Sequence, residues 1–296
     1  MDDENKKWEG TTYGNAWMHR TLIKILRNID IRFVYVFTAI FVIPVCLLLR
    51  AKERNAMISF FREHLGYSRL KSFWMTCKNH YVFGQIVIDR FAMYGGKRFD
   101  VEVIGYDYFL NLAAQESGFV QMSAHVGNYE LAGYTLVAET KRINALIFKD
   151  EKAMVLQNRK RMFGQTNIRM IPMKEDMSHL FEIDAALQNG EIVSMPADRV
   201  FGAHKTIDQD VLGSEAHLPL GPFATATLHD LDVLAVNVMK VSTKKYVAYV
   251  TPLDYPKDAP RKVQIQELSR LYAQELTRVV KMYPTQWFNY FDFWNQ

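Results

Sequence analysis

The sequence is poor in cysteine, with only Cys46 and Cys77 among its 296 residues. Two cysteines cannot build the disulfide framework of a small secreted domain, so we expect a reducing compartment. Three widespread catalytic signatures are also missing, because no HExxH, P-loop or GxSxG sequence occurs. These absences argue against a zinc protease, a nucleoside triphosphatase and a serine hydrolase of the common type.

Metal-ligand patterns and nucleic-acid motifs are lacking as well. His204, His217 and His229 have no metal-ligand spacing with cysteine or with one another, so we interpret them as surface or core residues. The net charge of +4 is too small and too dispersed to indicate a nucleic-acid partner. It suits an anionic partner such as a phospholipid surface or an acidic carrier protein.

The N-terminal region carries membrane signals. No signal peptide is expected, because the first apolar run starts only near Phe33 and lacks a small-residue cleavage site. Residues 16–30 have the period of an amphipathic helix with one basic face. Its apolar positions are Leu22, Ile25, Leu26 and Ile29, and its basic positions are Arg20, Lys24 and Arg27. Such a helix suits a membrane interface, and a surface helix packed on its own domain is the alternative.

An uncharged run follows, from Phe33 to Leu49. It is at the short limit for a bilayer span and contains Pro44, so we favour an embedded or interfacial helix kinked at Pro44. A full span and a buried core helix are the alternatives. The aromatic-rich stretch Arg54–Arg98 has helical spacing, and we assign it no chemistry. We predict a membrane-associating helical region over residues 1–96, ending at a Gly-Gly pair, and a second domain over residues 97–296.

From Asp100 onward, apolar runs of strand length alternate with helical patterns. The predicted strands are Phe119–Ala124, Ile143–Phe148, Ile168–Pro172, Glu191–Met195, Val233–Met239 and Tyr246–Thr251. The predicted helices are Tyr129–Ala138, Glu151–Phe163, Met177–Gln188, Phe223–His229 and a last helix over Leu268–Val279, stopped by Pro284. This alternation predicts an α/β domain with a mostly parallel sheet flanked by helices. Ligands of such sheets bind outside the carboxyl ends of the strands.

The segment from Ser117 to Ala138 places a candidate catalytic pair at such a strand end. An apolar strand ends just before His125, and a helix begins after Asn128, a good N-cap residue. The corner between them can fold the Glu130 carboxylate back onto the imidazole as an acid–base pair. With 8 histidines and 32 acidic residues, about one such spacing arises by chance. The alternative is a hydrogen-bonded core histidine and a glutamate favoured by the helix dipole.

Two further segments combine arginines with a possible anion contact. Arg159 and Arg161 belong to a basic cluster, NRKRM, at the end of a predicted helix, where solvated bases are the alternative interpretation. Asp198 and Arg199 follow a predicted strand. There a carboxylate can orient a guanidinium toward a phosphate, and a surface ion pair is the alternative.

A turn with the sequence LPLGPF precedes another predicted helix. Pro222 lies near the first helical position and Gly221 stands before it. The backbone N–H groups at a helix start are free to bind an anion. We therefore include both residues among the candidate substrate contacts.

The sequence His125-Val-Gly-Asn-Tyr-Glu130-Leu-Ala resembles the HxxxxD/E block of the lysophospholipid acyltransferase superfamily. Within that superfamily, the late acyltransferases of lipid A biosynthesis, with an H-x-G-N-W-E-L-type sequence, are most similar. Tyr129 stands where those proteins usually carry tryptophan. The resemblance extends more faintly over most of the chain. It implies the fold of the glycerolipid acyltransferases.

Other blocks of the family correspond to the remaining candidates. A second block contains an arginine about where Arg159 and Arg161 lie, which implies a phosphate contact by one of them. The third block resembles Asp198, Arg199 and Gly202, with Arg199 in place of the usual glutamine. A later block ends in a turn with proline and glycine, which matches LPLGPF. The aromatic C-terminal sequence differs from the basic segment with which the lipid A enzymes commonly end.

The resemblance implies transfer of a fatty acyl group from a thioester to a lipid hydroxyl, with no cofactor. His125 would be the general base, Glu130 would fix its tautomer, and Asn128 would contact substrate. The donor would be acyl carrier protein or acyl-CoA, at the cytoplasmic face of the inner membrane. The acceptor would be a lipid A precursor or a similar hydroxyacylated lipid. An amino-acid lipid, a lysophospholipid, and a non-catalytic protein that binds lipid or carrier are the alternatives.

Overall fold

The structure is a computed structural model that describes residues 16–136, 138, 141–147, 167–200 and 205–295. Its centre is a seven-stranded sheet with the order β1-β9-β8-β2-β5-β3-β4. Strands β6 and β7 form a separate antiparallel hairpin. The strands are β1 (Asp100–Ile104), β2 (Phe119–Ser123), β3 (Ile143–Ile147), β4 (Ile168–Pro172), β5 (Ile192–Pro196), β6 (Thr206–Val211), β7 (Ser214–Pro219), β8 (Asp232–Lys240) and β9 (Lys245–Pro252).

The sheet is mostly parallel, as the alternation of strands and helices predicts. Neighbours from β8 through β2, β5 and β3 to β4 all run parallel, and only the β8–β9 pair is antiparallel. Strand β2 lies at the centre, between β8 and β5. Both of its faces are covered, because Phe119 and Val120 point in opposite directions and both are fully buried.

Helices cover the two faces of the sheet and form the N-terminal region. They are α1 (Ala16–Asn28), α2 (Ile31–Leu49), α3 (Ala51–Ser59), α4 (Arg69–Tyr94), α5 (Tyr106–Ala113), α6 (Ala132–Thr135), α7 (His179–Gln188), α8 (Leu220–Ala226) and α9 (Arg261–Met282). The larger core lies between the sheet and the helices α7, α8 and α9. A smaller core lies on the other face, under α5.

The apolar helix α2 packs along α4 through only one of its faces. Ile31 and Tyr35 are buried there, whereas Phe33, Phe37 and Phe41 are more than half exposed. By length and composition α2 could cross a membrane, and 22% of its most apolar window is buried. A π-helical turn, Thr38–Val42, stands just before the proline of α2. Because proline has no backbone N–H to donate to the preceding turn, the regular α-helical hydrogen bonding is interrupted there. This interruption lies where a kink at Pro44 was predicted.

Several element bounds differ from the predictions. The helix expected over Tyr129–Ala138 is a 3₁₀ turn, Tyr129–Leu131, followed by the four residues of α6. Helix α8 begins three residues before the predicted start at Phe223, with Pro219 as its N-cap. Strands β1, β6 and β7 were not predicted, because their polar and exposed positions interrupt the apolar runs. The helix predicted over Glu151–Phe163 lies outside the described residues, and the division at residue 96 stays a prediction.

Candidate active site

The histidine turn, residues His125 to Asn128, follows the central strand β2 and rests directly on β8. Gly127 has φ +54°, a conformation that glycine adopts without strain. A Cβ atom at this position would lie 2.0 Å from the carbonyl oxygen of Val238. The backbone N–H of Asn128 donates to the same oxygen at 2.7 Å. The turn can approach β8 this closely only because residue 127 has no side chain.

The C-terminal segment, residues 286–291, covers the other side of the histidine turn. Val126 and Trp287 form an antiparallel bridge. The N–H of Gly127 donates to the carbonyl of Gln286 at 2.8 Å, and the N–H of Phe288 donates to the carbonyl of His125 at 3.2 Å. The turn is therefore held between β8 and the C-terminal segment. In the sequence, this segment is distinguished only by its aromatic composition.

Asp198 contacts both the backbone and the side chain of His125. It follows β5, the parallel neighbour of β2, so the two strand ends meet. Its Oδ1 lies 2.7 Å from the imidazole Nδ1, and its Oδ2 accepts the His125 backbone N–H at 2.9 Å. Because an ionised carboxylate only accepts hydrogen bonds, this contact assigns the proton to Nδ1 and leaves Nε2 as the basic nitrogen. Asp198 is fully buried, whereas the His125 side chain is 28% exposed.

Glu130 contacts helix α4. Its Oε1 lies 3.1 Å from the Arg90 Nε, and its Oε2 accepts the Tyr94 hydroxyl at 2.8 Å. The sequence predicted that the Glu130 carboxylate would contact the His125 imidazole. The structure contradicts this contact, because the carboxylate on Nδ1 belongs to Asp198. The Arg90 guanidinium also lies 5.3 Å above the Tyr129 ring, which makes a T-shaped contact with the His125 ring at a centroid distance of 6.0 Å. Glu130 and His125 are thus linked through Arg90 and Tyr129. The catalytic role of Glu130 stays a prediction.

Burial and nearby cations set the protonation of the pair. Burial lowers the pKa of His125, Arg199 lowers it further and Asp198 opposes both, so the pKa lies below the usual value of histidine. Burial alone would raise the pKa of Asp198. The attraction and the hydrogen bonds of His125, together with the charge of Arg199, lower it below its usual value instead. The resting pair is therefore a neutral imidazole beside an ionised carboxylate.

Arg199 lies against the C-terminal segment. Its Nη2 donates to the carbonyl of Phe288 at 2.9 Å and its Nε donates to the Asn289 Oδ1 at 3.3 Å. The guanidinium also lies 5.5 Å above the Phe291 ring. Burial lowers the pKa of Arg199 and the charge of Asp198 opposes this effect. Arg199 is thus a partly buried cation beside the base.

The structure does not bring every predicted residue to this place. The side chain of Asn128 is fully buried under the turn, and although Asn128 is the N-cap of the 3₁₀ turn, its side chain makes no capping hydrogen bond. In α8, Gly221 is exposed and Pro222 is buried. Arg159, Arg161 and Gly202 lie outside the described residues. The substrate-binding roles of these residues stay predictions.

Little in the sequence points to the residues that complete the site. Arg90 and Tyr94 lie on an aromatic-rich helix, and Phe288 and Asn289 lie in an aromatic tail. The signals that could have found them are the charged Arg90 within an apolar helical face and the polar Asn289 between aromatic residues. Within the described ranges, no group of three or more His, Cys, Asp or Glu residues could hold a metal ion.

Comparisons with known proteins identify the family. The family model described as bacterial lipid A biosynthesis acyltransferase matches residues 92–295. The chain therefore belongs to this family and is an acyltransferase of lipid biosynthesis, which confirms the predicted superfamily. A crystal structure of the 1-acyl-sn-glycerophosphate acyltransferase PlsC from Thermotoga maritima is similar at 13% identity, with a TM-score of 0.42. That match covers 91% of this chain and 99% of the other. No curated protein matches the chain.

Proposed function

We propose that this acyltransferase moves a fatty acyl chain from acyl carrier protein to a hydroxyl group of a lipid A precursor or a similar hydroxyacylated lipid. The contact between the His125 Nδ1 and the Asp198 Oδ1, at 2.7 Å, carries the proposal. It supplies an oriented, neutral base at the carboxyl end of the central strand. Family membership supports acyl transfer to a lipid, and the mild positive charge suits an acidic carrier.

The reaction needs one proton to move twice. The His125 Nε2 accepts the proton of the acceptor hydroxyl while the oxygen attacks the thioester carbonyl carbon. Asp198 stabilises the imidazolium that forms and keeps its ring in position, as a carboxylate does beside a catalytic histidine. The C–O bond then forms the new ester, the C–S bond breaks, and the imidazolium returns the proton to the leaving thiolate. The thioester is already activated, so no acyl-enzyme is required.

We assign Glu130 a positioning role through Arg90. The side chains of this pair are 4% and 18% exposed, so both charges are largely removed from water. Arg90 in turn faces the Tyr129 ring and adds to the positive potential that lowers the His125 pKa. Glu130 thus fixes a cation near the base and ties the histidine turn to helix α4. In this account the tautomer of His125 is set by Asp198.

The other predicted contacts keep their proposed roles in substrate binding. Arg159 or Arg161 would hold a phosphate, since a guanidinium matches the geometry of phosphate oxygens. Asp198 would act on the substrate through His125 and Arg199. Gly221 and Pro222 would line the path of the substrate at the start of α8, and Asn128 would shape the turn from below.

We further propose that the protein lies on the cytoplasmic face of the inner membrane without crossing it. Helix α2 packs on α4 along one face, whereas its opposite face carries the exposed rings of Phe33, Phe37 and Phe41. A helix attached along one face to α4 suits the interface better than a full span. The basic face of α1 would contact anionic headgroups.

The test is a transfer assay with the full-length purified enzyme. Acyl carrier protein with a radiolabelled acyl chain is mixed with total membrane lipids, and the product is identified by its mass. We expect a labelled lipid that contains one additional ester, and none with His125→Ala. Acyl-CoA in a parallel reaction tests the donor. Transfer from acyl-CoA alone would overturn the carrier assignment. A labelled diacyl phospholipid, which is the product expected from a lysophospholipid acceptor, would overturn the acceptor assignment.

A further inference from the structure

The C-terminal segment is held rigidly as one wall of the active site. In addition to its bonds with the histidine turn, its backbone binds helix α4. The Asn79 side chain donates to the carbonyl of Trp287 at 2.9 Å and to that of Thr285, which directly precedes the segment, at 3.2 Å. Asn79 is fully buried. The segment is therefore fixed on two sides, and the side chains that follow Phe288 have defined positions.

Two adjacent residues of this wall carry buried hydrogen-bond donors that no described residue accepts. Asn289 is 5% exposed, and its Oδ1 accepts from the Arg199 Nε, but its Nδ2 has no partner among the described residues. The hydroxyl of Tyr290 is also buried, and in the described part of the chain it has no partner. Nearly all buried polar groups in folded proteins are hydrogen-bonded, because burying one without a partner is unfavourable. Both donors belong to the segment that contacts Arg199, and together they indicate a place that a ligand completes.

The position of Tyr290 indicates the direction from which the ligand enters. Its ring packs against His80 and Phe83 of α4, with centroid distances of 4.9 Å and 5.4 Å. Next to Phe83, a Cβ atom at Gly84 would lie 3.1 Å from the Thr38 side chain, so this part of α4 packs directly against α2. Burial raises the pKa of Tyr290. Tyr290 thus lies between Arg199, beside the base, and the helix with the exposed apolar face.

These donors define the chemistry of the ligand. An amide NH₂, a guanidinium and a phenol hydroxyl together favour oxygen acceptors that carry negative charge. A lipid already in the membrane has its headgroup on the α2 side, whereas a carrier protein approaches from solvent. The donors lead from His125 toward α2, so the ligand that they fit is the acceptor lipid.

We propose that Asn289 and Tyr290, together with Arg199, bind a phosphate ester of the acceptor lipid and align its hydroxyl with His125. The proposal deepens the proposed function and rests on it. It makes Asn289 and Tyr290 specificity-determining residues for the acceptor. Their substitution acts on acceptor binding and leaves the donor site unchanged.

The variant Tyr290→Phe tests this, with Tyr283→Phe as the matched control. The Tyr283 hydroxyl is also in the C-terminal region but shares a 2.8 Å hydrogen bond with Tyr249. We expect Tyr290→Phe to raise the KM for the acceptor at least fivefold, to leave the KM for the carrier within twofold, and to keep or raise the Tm. Tyr283→Phe should lower the Tm and leave both KM values unchanged.

The variant Asn289→Asp provides a second measurement. Aspartate keeps the oxygen that accepts from Arg199, removes the donor and adds negative charge. We expect a larger rise in the acceptor KM than with Tyr290→Phe, because the new charge repels a phosphate. An unchanged acceptor KM in both variants would overturn the proposal. A rise confined to the carrier KM would do the same and would assign the subsite to the donor.

A binding arm separates this proposal from the proposed function. Dihexanoyl phosphatidic acid below its micelle concentration is titrated into the full-length wild-type protein and Tyr290→Phe, and the Tm is recorded. Inorganic phosphate serves as the second probe. A rise in the wild-type Tm with the lipid, reduced in the variant, supports the subsite even when no acyl transfer occurs. Equal shifts in both proteins contradict the subsite even when transfer is normal, and a shift with inorganic phosphate alone contradicts a lipid ligand.

Discussion

Asp198 holds His125 at two atoms, with Oδ1 on the imidazole Nδ1 and Oδ2 on the backbone N–H. The same carboxylate therefore fixes both the ring and the chain that carries it. This geometry arises because β2 and β5 are parallel neighbours whose carboxyl ends meet. The base is thus oriented by a residue that lies 73 positions away in sequence.

The pH dependence of the reaction should follow the lowered pKa of His125. The neutral imidazole is the active form, so kcat/KM should rise with pH through this pKa and be constant above it. Burial and Arg199 lower the pKa, so the half-maximal point should lie below histidine's usual value of 6.5. Removal of the cation in Arg199→Gln should raise the pKa and move the point to higher pH. Arg199→Lys keeps the charge and should leave it in place.

A pH–rate profile of the three proteins is the measurement. The profile distinguishes two roles of Arg199. If Arg199 instead donated a proton in the reaction, Arg199→Gln would lose activity at all pH values and the midpoint would not shift. A midpoint above 6.5 in the wild type would contradict the neutral resting imidazole.

Glu130→Gln should destabilise the protein by leaving the charge of Arg90 without its buried carboxylate. Breaking such a pair costs up to about 3–5 kcal/mol, whereas replacing both charges costs less. We therefore expect the double variant Arg90→Met with Glu130→Gln to be more stable than Glu130→Gln alone. Tyr94→Phe removes one hydrogen bond and should cost about 1 kcal/mol. Urea unfolding of the wild type and the three variants measures their free energies of unfolding. An unchanged free energy of unfolding for Glu130→Gln would contradict a buried Glu130–Arg90 pair that stabilises the fold.

Gly127→Ala should abolish activity and strongly destabilise the fold. The new Cβ atom would lie 2.0 Å from the Val238 oxygen, so either the histidine turn or β8 must move. Gly96→Ala is the control, because Gly96 also has a positive φ but no heavy atom within 4 Å of the new Cβ. That variant should lose about 1 kcal/mol from backbone strain alone. Equal Tm values for the two variants would contradict the close approach of the turn to β8.

The exposed face of α2 should determine membrane binding. Replacing Phe33, Phe37 and Phe41 by glutamine removes three rings, each worth about 1.5–3 kcal/mol when buried in lipid. We expect the triple variant to stay in solution when vesicles with anionic lipid are sedimented. Phe181→Gln, at an 80% exposed position on α7, should sediment like the wild type. Persistent binding of the triple variant after a high-salt wash would move the membrane contact to another surface.

Substitution is a sharper test of α2 than removal of residues 1–50. The buried face of α2 closes over Asp89, which accepts hydrogen bonds from Tyr35 and Tyr246 and pairs with Lys240. Deletion would uncover this cluster and the adjacent apolar surface of α4. Loss of membrane binding in the truncated protein would then mix two causes, lost lipid contacts and a damaged core.

The sequence predicted the parts of the site that depend on local patterns. The apolar run of β2, the turn at His125 and the following helical turn are neighbours in the chain, and their residues have clear preferences. The strand limits at Ile168–Pro172 were also predicted as observed. Such segments are bounded by glycine, proline or polar residues. The hydrophobic periodicity and these bounding residues together therefore locate them.

Contacts between distant segments could not be predicted in this way. The partner of His125 depends on the strand order, which places β5 beside β2, and one sequence contains no direct signal of that order. Glu130 was the nearer carboxylate in sequence, but the 3₁₀ turn directs it toward Arg90. The C-terminal segment has only aromatic composition to distinguish it, and its pairing with the histidine turn is visible only in three dimensions.

The activity of Asp198→Asn tests the central claim, that Asp198 orients the catalytic base. An amide in place of the carboxylate presents an N–H group or a neutral oxygen to Nδ1, so it neither stabilises the imidazolium nor fixes the tautomer. We predict that kcat for acyl transfer falls by about 10²–10⁴-fold in a protein that remains folded by circular dichroism, with a smaller loss in Glu130→Gln. A kcat within threefold of the wild type, or a larger loss in Glu130→Gln than in Asp198→Asn, would contradict the account.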